Sequence, residues 1–144
     1  MASCVTQRVE FECCYLIDKE LNAHRYRFEV TVEGNQFRLD KGCLISFESL
    51  KKYMKQVVPD KSFLFDSSTY NIGKDIAFIM GSKGVKISSC PYILSAENIC
   101  SAMSQDLQRL LDSQEPGVTV VSSTLRENTG SFVSWKPSVR TTLT

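Results

Sequence analysis

Leu21-Asn22-Ala23-His24-Arg25-Tyr26-Arg27-Phe28-Glu29-Val30-Thr31-Val32-Glu33-Gly34 sets the architecture of this chain. Tyr26, Phe28, Val30 and Val32 share one parity, and Arg25, Arg27, Glu29, Thr31 and Glu33 share the other. Period-two alternation of this kind predicts a β-strand with one buried face. Asn22 and His24 fall on the apolar parity at the strand's entrance. Two imidazoles at i and i+2 would sit side by side and could grip one zinc ion. Here one of the two is an amide.

Working outward, residues 7–17 predict a first strand, with Val9, Phe11, Cys13, Tyr15 and Ile17 on one face. A short polar link, Asp18-Lys19-Glu20, leads to the second strand at about 22–33, and residues 36–39 extend it past a turn. Ser46 caps a predicted helix over 47–58, whose apolar stripe is Phe47, Leu50, Met54 and Val57 and which Pro59 ends. Residues 75–80 and 85–89 flank Gly81-Ser82-Lys83-Gly84 and predict a β-hairpin. Ser95 caps a second helix to about 112, with Ile99, Met103, Leu107, Leu110 and Leu111 inward. Strands follow at 118–124 and 131–135, and residues 136–144 read as a tail beyond a single domain over 1–135. The order predicts an α+β fold: an antiparallel sheet with two helices on one face.

Composition narrows the function classes. Of 144 residues, 42% are hydrophobic, enough for a real core, and the formal net charge is +1 with both signs interspersed. No basic footprint for nucleic acid appears, and no apolar run approaches the ~18 residues of a membrane span. With no secretory pattern at residue 1, the expected location is cytoplasmic. The six cysteines, at 4, 13, 14, 43, 90 and 100, include no Cys-x-x-Cys pair and are expected to be reduced, small core residues.

The chain resembles the 6-pyruvoyl-tetrahydropterin synthase and 6-carboxytetrahydropterin synthase family. The segment from Leu21 resembles that family's Leu-His-Gly-His strand, and Val9–Tyr15 resembles its first strand, which ends in Ala-Ala-His. Gly42-Cys43-Leu44-Ile45-Ser46-Phe47 continues the likeness to Gly-Met-Val-Ile-Asp-Phe, and Leu94-Ser95-Ala96-Glu97-Asn98 to Pro-Thr-x-Glu-Asn. The resemblance implies the T-fold, in which sheet edges pair between subunits into a closed barrel, so a homo-oligomeric ring is expected. An antiparallel sheet with open edges leads to the same expectation.

The family's chemical positions have changed. The three zinc-binding histidines map onto Tyr15, Asn22 and His24, so zinc is expected to be lost and no cofactor is expected. The catalytic thiol maps onto Asp18, and the Asp-His pair after the first helix maps onto Asp60 and Lys61. A pterin-anchoring Glu, carried in a late Val-x-Val-x-Glu-Thr strand, maps onto Ser122. Glu97 and Asn98 keep their motif, although a carboxylate in a first helical turn is also stabilised there without any ligand. Coordinated loss of metal, thiol, base and anchor points to a catalytically inactive family member. Its role would be that of an oligomeric scaffold or a subunit of a larger protein assembly. The alternatives are a non-catalytic protein binding a pterin or purine through Glu97, Asn98 and Ser122, and a diverged lyase with a rebuilt metal site.

Overall fold

A computed structural model describes residues 3–17, 19–34, 43–68 and 71–138. The predicted extension over 36–39, Asp18 and the tail from residue 139 lie outside them. Two long strands, β1 (Ser3–Ile17) and β2 (Glu20–Gly34), pair antiparallel along their whole length, from Ser3 across Gly34 to Ile17 across Glu20. Only two residues join them, and Lys19 takes a left-handed φ of 79°, as such tight hairpin links require.

Then follow α1 (Phe47–Val57), β3 (Ser62–Asp66), α2 (Ile72–Ser82), β4 (Ile87–Cys90), α3 (Ala96–Gln114), β5 (Val118–Glu127) and β6 (Phe132–Trp135). The strands form one six-stranded sheet in the order β4-β3-β1-β2-β5-β6. It is mixed: β1 with β3 and β3 with β4 run parallel, and the other pairs run antiparallel. Among the described residues no helix is long and apolar enough to cross a membrane.

Two predicted helices form as their caps require. The Ser46 hydroxyl accepts the Ser49 N–H at 3.0 Å, and the Ser95 hydroxyl accepts that of Asn98 at 3.1 Å. Leu50 and Met54 of α1, and Ile99, Met103, Leu107 and Leu111 of α3, bury against the sheet. They meet Val9, Phe11 and Tyr15 of β1 and Tyr26, Phe28, Val30 and Val32 of β2 in one core. Phe47 departs from its predicted stripe and is 64% exposed, because the first residue of α1 lies beyond the sheet-facing turn.

The predicted hairpin over 75–89 is replaced by a helix and one strand. The run Asp75–Met80 is apolar without alternation, which suits a buried strand or a helix equally. The helix prevails because the Asn71 side chain caps it, accepting the Lys74 N–H at 3.1 Å. In addition, β3 and β4 are parallel and need a crossover between them. Gly84, with φ 86°, ends the helix where a turn tip was expected.

This third helix covers the other side of the sheet from α1 and α3. Phe63 of β3 and Ala77 of α2 are both buried, yet stand apart from the core cluster that takes in Leu64, the next residue along β3. A Cβ on Gly81 would meet Ile87 of β4, which pairs with Phe63.

One irregularity matters for the site. Between β2 and β5, Val32 pairs with Val120 and Thr31 with Ser122, so Val121 is an extra residue without a partner. Such a bulge reverses which parity faces the core. Val118 and Val120 are buried before it, and Ser123 and Leu125 after it.

Candidate ligand and metal site

Tyr15 lies directly across from Asn22, Cys13 from His24, and Phe11 from Tyr26. These six residues form one end of the helix-covered face, where Phe11, Cys13, Tyr15 and Tyr26 are buried and Asn22 and His24 are part-exposed. The Tyr26 hydroxyl donates to that of Tyr15 at 3.3 Å, Tyr26 stacks on Phe11 at 5.4 Å, and the His24 ring meets Tyr26 edge-on at 5.8 Å. Asn22 turns its amide back to the Glu20 carbonyl at 3.3 Å.

The electrostatics of this end oppose anionic ligands. Burial pushes the Tyr15 phenol up, and the charges of Glu127 and Glu97 add to the shift. Burial also raises Tyr26, and the hydrogen bond it donates to Tyr15 holds its proton further. Cys13 is pushed up to about 12, first by burial and then by the thiols of Cys14 and Cys90 and the charge of Asp60. Zinc favours anionic or imidazole donors, and this end presents two phenols, a thiol, an amide turned to the backbone and one imidazole, a poor fit to that set. Among the described residues no group of three or more His, Cys, Asp or Glu is placed to hold a metal ion.

Asp60 and Lys61 form a clip to β1. Asp60 Oδ1 accepts the Glu12 N–H at 3.0 Å, and the Lys61 N–H donates to the Glu12 carbonyl at 2.6 Å. Lys61 is exposed with a left-handed φ of 56°. It lines a cleft of about 440 Å³ with His24, Cys13, Cys14, Arg25 and Asn128. His24 and Lys61 are therefore brought together. Asp18 lies outside the described residues.

Glu97 and Asn98 open α3. Asn98 is engaged locally, its amide donating to the Ile93 carbonyl at 2.8 Å, while Glu97 is exposed. Ser122 falls with Thr31 on the sheet face opposite Tyr15 and Tyr26, because of the bulge at Val121.

A carboxylate that does share their face beside the phenols is Glu127, a residue the sequence reading missed. It ends β5 directly across from Tyr26, is half-buried, and accepts a 3.2 Å hydrogen bond from the Thr129 hydroxyl. Its charge reaches both phenols. The signal lay in Leu125-Arg126-Glu127-Asn128, an apolar-x-Glu-polar run just before the Thr129-Gly130 turn.

A family model described as 6-pyruvoyl tetrahydropterin synthase matches residues 5–138. The chain belongs to that family. Its α+β fold is the T-fold of these enzymes. A 6-pyruvoyl tetrahydropterin synthase from Plasmodium vivax superposes with a TM-score of 0.71 at 16% identity, covering 96% of this chain and 99% of that one. An uncharacterized protein from Wolinella succinogenes gives 0.69 at 14% identity, with 96% and 99% covered. A P. vivax variant in which a glutamate, termed a catalytic residue, is replaced by alanine gives 0.62 at 15% identity, with 95% and 99% covered. Comparison with curated proteins gave no match.

Proposed function

We propose that this family member is catalytically inactive, carries no zinc, and acts in the cytoplasm as an oligomeric structural subunit. The observation that carries the reading is the Tyr15–Tyr26 phenol pair, in which Tyr15 stands where the family resemblance expects a metal-binding imidazole. Lys61, in place of a histidine, adds to it, since a lysine does not supply the imidazole that proton shuttling at neutral pH favours.

Assembly is supported by the edges of the sheet. Among the described residues, β3 covers one side of β1 over Cys13–Tyr15 alone, and no other strand pairs with the first half of β1 on that side. β6, at the far end, runs antiparallel to β1, so joining the two edges between copies continues the antiparallel order.

A second reading, a non-catalytic pterin or purine binder, is favoured by Glu127. A carboxylate beside Tyr26 can accept paired N–H donors from a guanidine-like ring edge. Incubation with 7,8-dihydroneopterin triphosphate, with product analysis, separates the readings. The proposal expects no turnover; binding without turnover that is lost in Glu127→Gln supports the second reading. Turnover that disappears in Asp18→Asn overturns both, by giving the chain a carboxylate in a catalytic role of the kind named for the P. vivax enzyme.

A further inference from the structure

The sheet face that α1 and α3 leave bare carries a charge pattern of its own. Across β1 and β2 each charge meets its opposite: Arg8 faces Glu29, Glu10 faces Arg27, and Glu12 faces Arg25. Arg25 lies 3.0 Å from Glu12 and 3.9 Å from Glu10, and Arg27 lies 3.7 Å from Glu10. One strand further on the matching fails. The register of β2 with β5 sets Arg27 directly across from Arg126.

Cross-strand neighbours stand about 4.5–5.5 Å apart at Cβ, and like charges so placed destabilise a sheet. The bulge at Val121 creates this pair, since an unbroken register would set Leu125 against Arg27. Among the described residues Arg126 makes no ion pair, although Glu29 lines the same cleft. Its guanidinium lies 4.5 Å from the Phe132 ring centroid, and its Nη1 donates to the Gly130 carbonyl at 3.2 Å. These contacts fix the plane of the fork and engage one of its five N–H donors. Arg27 must share Glu10 with Arg25. A cleft of about 170 Å³ opens beside the pair, lined by Arg27, Glu29, Thr124, Arg126 and the 57% exposed Phe132.

We propose that Arg27 and Arg126 form a binding site for a phosphate-type oxyanion of at least two negative charges, with Phe132 as its aromatic wall. Planar guanidinium forks match phosphate oxygens, and an anion between them turns a repulsion into two charge-assisted contacts. Glu10 and Glu29 border the site, so a monoanion gains little there. The ligand class is a polyphosphate chain, free or attached to a small molecule. The site lies on the opposite face from Tyr15, Tyr26 and Glu127, so it stands apart from the proposed function.

Calorimetric titration of the full chain with sodium tripolyphosphate at low salt tests it. Saturable binding is expected, weakened about tenfold or more in Arg126→Ala and Arg27→Ala, and only partly restored in Arg126→Lys. Glu10→Gln should bind more tightly, a gain that misfolding cannot imitate. Arg109→Ala, on α3, should bind as the parent does. A parallel titration with ATP assigns the source: tighter binding that Phe132→Ala abolishes marks a nucleotide, and equal binding marks the phosphate chain alone. Absence of saturable binding overturns the site, as does loss in Arg109→Ala equal to that in Arg126→Ala, or no gain in Glu10→Gln.

Discussion

Replacing Tyr15 and Asn22 with histidine would set two new imidazoles directly across the sheet from one another, with His24 two residues along the same face. The doubly substituted Tyr15→His, Asn22→His protein should then retain about one zinc per chain in elemental analysis, whereas the parent should retain none. Stoichiometric zinc in the parent that is lost in His24→Ala would contradict the account of the phenols. Cys13 makes a prediction in pH. Its thiol moves from an ordinary 9.0 up to about 12 on folding. The folded chain therefore keeps a proton that the unfolded chain has already released, and rising pH favours unfolding. Stability against urea should be level below pH 9 and fall between 9 and 12, and Cys13→Ala should flatten the fall. The buried phenols of Tyr15 and Tyr26 shift the same way. At this scale Tyr15, Asn22 and His24 were legible because an uninterrupted register needs only parity. Ser122 was not, because one unpaired residue at Val121 changes every count after it.

The helices owe their boundaries to single hydroxyls and amides. Ser95→Ala removes the acceptor of the Asn98 N–H and should cost about 1 kcal/mol in denaturant unfolding. Gly34, at the end of β2, is packed so closely that a Cβ there would press on the Leu44 side chain and lie 3.2 Å from the Gly117 carbonyl. Gly34→Ala should therefore cost about 1–3 kcal/mol by the same measurement, as overpacking does. Legibility followed local chemistry here too. α1 and α3 announced themselves by a cap followed by spaced apolar residues. α2 has an apolar outer face, with Phe78 81% exposed, so it lacks the polar stripe that distinguishes a surface helix from a strand. β3 was not foreseen, because a five-residue strand shows too little alternation to register, and its parallel partner lies beyond a helix.

For the whole molecule, the first half of β1, which among the described residues has no strand beside it on the β3 side, is the feature that the surroundings must deal with. The Glu12 N–H and C=O point to the β3 side, where Asp60 and Lys61 meet them. Backbone groups alternate along a strand, so those of Thr6 and Arg8 point to that same side, and the Arg8 N–H is met there by its neighbour's Gln7 side chain. Thr6→Pro thus removes an edge donor while leaving the ladder with β2 intact. Light scattering should report a multiple of 16.2 kDa for the parent and a smaller mass for the variant. A parent that stays monomeric at micromolar concentration would refute the assembly.

The same hairpin has a consequence in time. β1 and β2 are joined by two residues and can pair as soon as Gly34 has cleared the ribosome, but the other strand that flanks β2 begins only at Val118. A nascent chain halted at Gln114 on the ribosome thus presents both long strands with β2 open along one side, and contacts this distant in sequence form slowly. The interval between those two points of translation is when this chain most needs a chaperone.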